Sequence, residues 1–323
     1  MRDVRWEVAP DAGPADRRAA EVLGEWLSTE GFRLTRNRPR ILSRGGTAHV
    51  QFGWGAGRPD IRVVTQAPLR GHKGVARLTV VPDPTLRRVL EEQGVSGPTT
   101  EVPYPIPDPF FDWSDMGPVF TVTRHHHLQA RPRLVVEGNW GLGHALTRVL
   151  PAARRALSRG GELVLLDALA DRARVAPAVA AMGLQEAVVF LPPLSSTELA
   201  GLFHSADLFL QADVHQGYPS LMRWALASGL PALGIDDPLT RRACEQTFVA
   251  VDPARNNVWP QAIGAVLESG RLREEIMRRA QHLTASRLSR VGPAFAAVVE
   301  ALRASSRTGK PRALPASPAE GPY

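Results

Sequence analysis

The sequence holds a single cysteine, Cys244, and only two lysines, Lys73 and Lys310, among 39 basic residues. One thiol excludes any intrachain disulfide, so the fold must be held by its core, and a reducing compartment is the natural setting. With lysine so scarce, the net charge of +7 is carried by arginine, which favours anionic partners without choosing among them. Aromatic residues make up 6% of the chain. No module interleaves them with basic residues, and the arginines are dispersed rather than stacked along one helix, so nucleic acid is not expected as a partner. No uncharged apolar run approaches the ~18–20 residues of a membrane span. The first residues also lack the apolar stretch of a signal peptide, so a cytoplasmic location is expected. Peripheral contact of a basic face with an anionic leaflet needs no spanning segment and stays open.

What is present is the composition of a globular protein, 44% hydrophobic and 22% charged over 323 residues, a length that favours two domains. Short β-rich runs alternate with helix-period segments, the pattern of parallel sheets built from βα units. One set contains strands at 4–8, 49–52, 61–65 and 77–81 and helices at 16–30 and 84–93. The second set runs strand 133–137, helix 143–159, strand 162–167, helix 176–182, strand 187–191, helix 196–203, strand 207–210, helix 219–227, then strands 231–235 and 248–251. The expected fold class is therefore α/β, two doubly wound Rossmann-like domains with a cleft between them. The expected domains are 1–115 and 133–304, joined by a proline-rich linker at 116–132 and followed by a disordered Pro/Ala/Ser tail at 305–323.

Local motifs narrow this further. The run VVFLPPLSSTELAGLFHSADLFL at 188–210, then QGY at 216–218, ALASGLPAL at 225–233 and VDP at 251–253, together resemble the C-terminal domain of family 4 glycosyltransferases, which have the GT-B fold. With the helical RLREEIMRRA at 271–280, the match spans roughly 100 residues in the family's order and spacing. The first half resembles the family more loosely, at WEVAPDAG (6–13), GFRLT (31–35), VVPD (80–83) and VPYPIPDPFF (102–111), and looks shortened. The resemblance implies transfer of a sugar from a nucleotide-sugar donor to an acceptor (a glycan, lipid or small molecule), with retention of anomeric configuration. It implies no cofactor, the nucleoside-diphosphate sugar being a substrate.

A helix N-terminus opening from a loop suits a diphosphate, since its N–H groups are unpaired and the dipole end is positive. Gly217 stands at such a point ahead of Pro219, with Tyr218 and Ser220 beside it, although an ordinary βα turn reads the same way. In the family this loop carries two glutamates that contact the donor; here Gln216 and Trp224 occupy their places. Glutamine keeps hydrogen-bonding capacity without the charge, and tryptophan offers one N–H only. Arg223 is a cation that could meet phosphate, or simply a solvated arginine. After Gly138, where the family carries paired cations, Asn139 takes the place of the arginine and no lysine follows, leaving Arg124, Arg148 or Arg223 to neutralise the diphosphate. On the acceptor side, Gly13 matches the first glycine loop and Gln66 takes the place of the family's histidine. His72, in a loop six residues on, is a candidate for proton transfer or an ordinary surface residue. The run His125 to His127, without acidic or cysteine partners, reads as a solvated tract, so no metal is expected.

Two further readings stay open. Four departures, at Asn139, Gln66, Gln216 and Trp224, suit a non-catalytic GT-B-like protein that scaffolds or binds a ligand. A nicotinamide-dependent oxidoreductase is the weaker alternative, because glycines at 138, 141 and 143 give G-x-x-G-x-G rather than the dinucleotide fingerprint.

Overall fold

The computed structural model describes residues 2–10, 12, 14–36, 48–54, 59–65, 76–95, 97–138, 140, 144–213, 218–245, 247–252 and 254–308. The chain forms two compact units, one of Met1–Pro105 with Tyr218 and the chain from Ser286 on, the other of 106–213 and Pro219–Ala285.

The first unit is built from β1 (Arg2–Val8), α1 (Pro14–Thr29), β2 (Phe32–Arg36), β3 (Ala48–Phe52), β4 (Ile61–Val63), β5 (Leu78–Val81), α2 (Pro84–Glu92) and β6 (Thr99–Glu101). Its six strands are parallel in the order β2-β1-β3-β4-β5-β6, so the direction of winding reverses at β1. The sequence accounts for α1. Pro14 occupies the first position, where its missing N–H costs nothing, Asp16 lies in the positively polarised first turn, and Gly31 at φ +80° turns the chain away beyond its end. Ala19, Val22, Leu23 and Leu27 are its buried stripe. Strand alternation places Trp6, Val50, Ile61 and Leu78 side by side on one face and Glu7, Gln51, Arg62 and Thr79 on the other.

The second unit begins with α3 (Gly117–His125) and continues through β7 (Arg133–Glu137), α4 (His144–Leu157), β8 (Glu162–Leu165), α5 (Arg172–Ala181), β9 (Val188–Phe190), α6 (Ser196–His204), β10 (Leu208–Gln211), α7 (Ser220–Ala227), β11 (Ala232–Ile235), α8 (Pro238–Cys244), β12 (Val249–Val251) and α9 (Trp259–Glu268). A final helix, α10 (Gly270–Thr308), passes to the first unit after Ala285. The sheet is again parallel, in the order β12-β11-β10-β7-β8-β9. Every residue of β8, β10 and β11 is buried, as expected for parallel strands covered on both faces. Cys244 is buried at the end of α8, in keeping with a packing role.

Charge at this sheet is concentrated at the amino edge. There the Arg133 guanidinium pairs with Glu162 and donates to the Ser205 carbonyl at 2.9 Å. Glu162 also accepts from the backbone of Gln129 and Ala130, and Asp207 accepts from Arg131 and from the Arg133 N–H. Three charged side chains thus satisfy the backbone groups where the strands begin.

Two expected boundaries fall elsewhere. Residues 116–132, read as a linker, contain α3, whose start packs so closely on α6 that a Cβ on Gly201 would lie 2.4 Å from the Pro118 carbonyl. The chain from Ser286 to Ala304, read as the end of the second domain, belongs to the first unit. There Phe295, Val298 and Leu302 meet Trp6, Leu23 and Leu27 around a small apolar cavity, and the Phe295 ring meets that of Trp26 edge-on at 5.5 Å. Of the expected tail, 309–323 lies outside the described residues. Among the described residues, no helix is long and apolar enough to cross a membrane.

Candidate functional site

In an open parallel sheet the ligand crevice lies beyond the carboxyl ends of the strands, where the winding reverses. In the second unit that point is between β7 and β10, which pair directly, Glu137 opposite Gln211. Gly138 follows β7, and Trp140 closes the neighbouring flank: its indole N–H donates to the Leu166 carbonyl at the end of β8, at 2.6 Å. The last turn of β10 continues to Ala212, whose N–H bonds the Glu137 carbonyl at 3.1 Å, and to Asp213.

Among the described residues, one guanidinium bonds the chain just past the end of β10. Arg148, on the second turn of α4, directs Nη1 to the Ala212 carbonyl at 3.0 Å and to Asp213 Oδ1 at 3.4 Å. Its side chain is 19% exposed and that of Asp213 10%, so the pair is sheltered and partly desolvated, where its electrostatics are stronger than at an open surface. A second arginine lies one turn into α7. Arg223 is buried, and among the described residues its Nη1 has no hydrogen-bond partner. A buried guanidinium nitrogen left unpaired costs free energy that an anionic oxygen would recover. Beyond β11, Asp236 pairs with Arg241, and that hydrogen bond holds its carboxyl below the ordinary carboxylate range. Asp237 Oδ1 caps α8 through the N–H groups of Leu239 and Thr240, both at 3.0 Å.

The residues singled out from the sequence separate into four groups. Gly138 sits at the switch point, half-buried. Ser220, Arg223 and Trp224 are buried within α7 of the second unit, where the Trp224 ring packs on Phe110 at 4.9 Å. Trp224, expected to face the donor, is thus a core side chain here, with its ring turned onto Phe110. Tyr218 belongs to the first unit. Its N–H donates to the Thr65 carbonyl at 2.7 Å and its ring stacks on Tyr104 at 4.9 Å, while the Tyr104 hydroxyl donates to the Ala15 carbonyl at 2.7 Å. Asn139, Gln216, Gly217, His72, Gly13 and Gln66 lie outside the described residues.

The carboxyl edge of the first sheet is fixed by a residue that sequence reasoning did not single out. Asp16 is fully buried, and its Oδ1 accepts from both the N–H and the hydroxyl of Thr65, each at 2.8 Å. It thereby ties the N-terminus of α1 to the strand end preceding Gln66. The signal was an acidic residue in a first helical turn, which ordinarily answers the helix dipole alone.

Solved structures resemble this chain along nearly its whole length. HepE of Anabaena in complex with UDP is 10% identical with a TM-score of 0.70, over 94% of this chain and 100% of that one. A glycosyltransferase from Rickettsia africae is 12% identical with a TM-score of 0.68, over 95% and 99%. The chain has the GT-B fold. WaaG, a glycosyltransferase involved in lipopolysaccharide biosynthesis, is 12% identical with a TM-score of 0.66, over 91% and 98%. In GT-B terms, β7 to β12 form the C-terminal Rossmann-like sheet and β1 to β6 the N-terminal one. No family model matches the chain, and no curated protein matches it in sequence.

Proposed function

We propose that this GT-B chain is a glycosyltransferase that takes a nucleoside-diphosphate sugar at the switch point of its second sheet and passes the sugar to an acceptor. The observation that carries this reading is Arg148, a sheltered guanidinium beside the strand ends where such a sheet receives its ligand. The fold supports it, and so does HepE, a protein of the same architecture solved with UDP and with UDP-glucose. Arg148 and Arg223 stand in for the cations that the resembling family carries after its first strand of this domain. Each presents planar N–H donors suited to phosphate oxygens. Retention of anomeric configuration follows from the family resemblance, and Gln216 and His72 are the side chains proposed nearest the reacting sugar.

The burial of Trp224 favours a second reading, in which the donor site survives as a binding site without transfer. The family's second loop glutamate would contact the donor, whereas this position carries a core residue. One experiment separates the two. Titration with UDP- and GDP-sugars, followed by a search for released nucleotide in the presence of mixed acceptors, gives binding with turnover for the transferase and binding without turnover for the second reading. In either case Arg148→Ala weakens donor binding about ten- to a hundredfold, corresponding to ~1.5–3 kcal/mol for a hydrogen bond to a charged group. Unchanged affinity in that variant would place the diphosphate elsewhere.

A further inference from the structure

Away from the switch point, the second unit brings together three side chains that the sequence keeps far apart. The helix α3 ends at His125, with His126 as its C-cap, and His127 at φ +55° stops the helix there. The two imidazoles at this helix end lie parallel, with centroids 4.7 Å apart and planes 10° apart. Facing them is Glu198, in the first turn of α6. Antiparallel packing explains the meeting: Pro118 at the start of α3 abuts Gly201 in the second half of α6, which leaves the end of α3 beside the start of α6.

We propose that His125, His126 and Glu198 form a site for a divalent transition metal of the Zn2+ type, bridging α3 and α6. One ligand atom from each residue lies within 4.8 Å of the other two. Zinc bound tetrahedrally at its ordinary bond lengths holds ligand atoms ~3.3 Å apart, so each donor has to move by about an ångström or less. His125 is exposed and free to do so. Two imidazoles and one carboxylate are a donor set that zinc accepts, with water completing the fourth position.

Two features show preparation rather than coincidence. Nε2 of His126 is buried and has no hydrogen-bond partner among the described residues, a cost that coordination would remove. Glu198 is held in place by its capping box: Oε2 accepts from the Ser195 N–H at 2.9 Å and from the Ser195 hydroxyl at 2.7 Å. Such an outer partner orients a ligating carboxylate. Both ligand-bearing elements are helices locked together by a backbone contact, which gives a more exact site than a loop would.

The test uses the full chain, free of any histidine tag and stripped with chelator. Calorimetric titration with Zn2+ is expected to show one saturable site, and Co2+ in its place is expected to give the visible absorption of a four- or five-coordinate ion. His126→Gln and Glu198→Gln should each weaken Zn2+ binding roughly tenfold or more by removing one protein ligand of three. Glutamine preserves the capping box, so melting of Glu198→Gln in EDTA should match that of the parent. A shift in that melting is controlled by His125→Gln, on an exposed residue, which must then lose the Co2+ absorption alone. Absence of saturable binding in the parent, or affinity unchanged in the variants, overturns the proposal.

Discussion

The two sheets share parallel strands and a single winding reversal, yet their interiors differ in kind. The second sheet is apolar on both faces along Leu134, Val135 and Val136, Leu163 to Leu165 and Leu208 to Leu210, and the buried ion pair within its strands, Arg133 with Glu162, lies at the amino edge. The first sheet has one apolar face. Its other face carries Arg5, Glu7, His49, Gln51 and Arg62 across three adjacent strands, joined by hydrogen bonds from His49 and Gln51 to Glu7 and from Arg62 to Gln51 at 3.2 Å. A sheet that is apolar throughout gains its stability from burial and tolerates exchange among similar residues. A buried polar row is sensitive to the loss of any member, because each remaining group is left with an unmet bond.

The contrast can be tested by removing one polar group from each sheet. Glu162→Ala leaves Arg133 buried without its counter-charge, and the expected loss in urea unfolding is about 3–5 kcal/mol; a loss under about 1 kcal/mol would mean that the amino edge is hydrated rather than sealed. Gln51→Leu takes away the acceptor of Arg62 Nη2 in the first sheet, with an expected loss of about 1–3 kcal/mol. If Gln51→Leu proves stabilising, the polar row is a tolerated burden rather than a working network. The smallest effect concerns pH. Burial first, then the Arg5 charge, hold the His49 pKa below its ordinary 6.5, against the opposing pull of Glu7. Because the folded value is depressed, the unfolded chain binds the extra proton. The contribution of His49 is therefore full above about pH 6.5 and is lost as pH falls through the folded value. Melting temperatures measured from pH 7.5 to 5 should fall less steeply for His49→Gln than for the parent, and parallel curves would count against this assignment.

The same contrast explains what could be read from the sequence. The strands of the second sheet stand out as uninterrupted apolar runs, so 133–137, 162–165, 208–211 and 232–235 were legible along with the helices between them. In the first unit β2 and β6 carry no such run, being short and half-polar. The helix α3 was missed because only Val119 and Val122 are buried along it, too few to mark a helical period among prolines. Its apolar contacts come from a distant segment. At the site, the substitutions at Gln216 and Trp224 were visible, whereas the burial of Trp224 depended on how the whole of α7 packs. Arg148 was one of three candidate cations, and only the turn of α4 that faces Ala212 selects it. Glu198 could not be paired with His126, because nothing local in either segment refers to the other.

The seating of 106–132 on the second unit has a consequence for dividing the protein. Phe110 lies against Phe203 and Trp224, the Trp113 ring stacks on His204 at 4.1 Å, and α3 rides on Gly201. A gene cut at the start of β7 would strip these partners away and expose an apolar groove along α6 and α7, inviting aggregation. Dissection respects the structure only if the second half is taken from Ile106 and ended near Ala285, which leaves the closing helix to the first half; the protein therefore separates by contacts rather than at a single point along its chain.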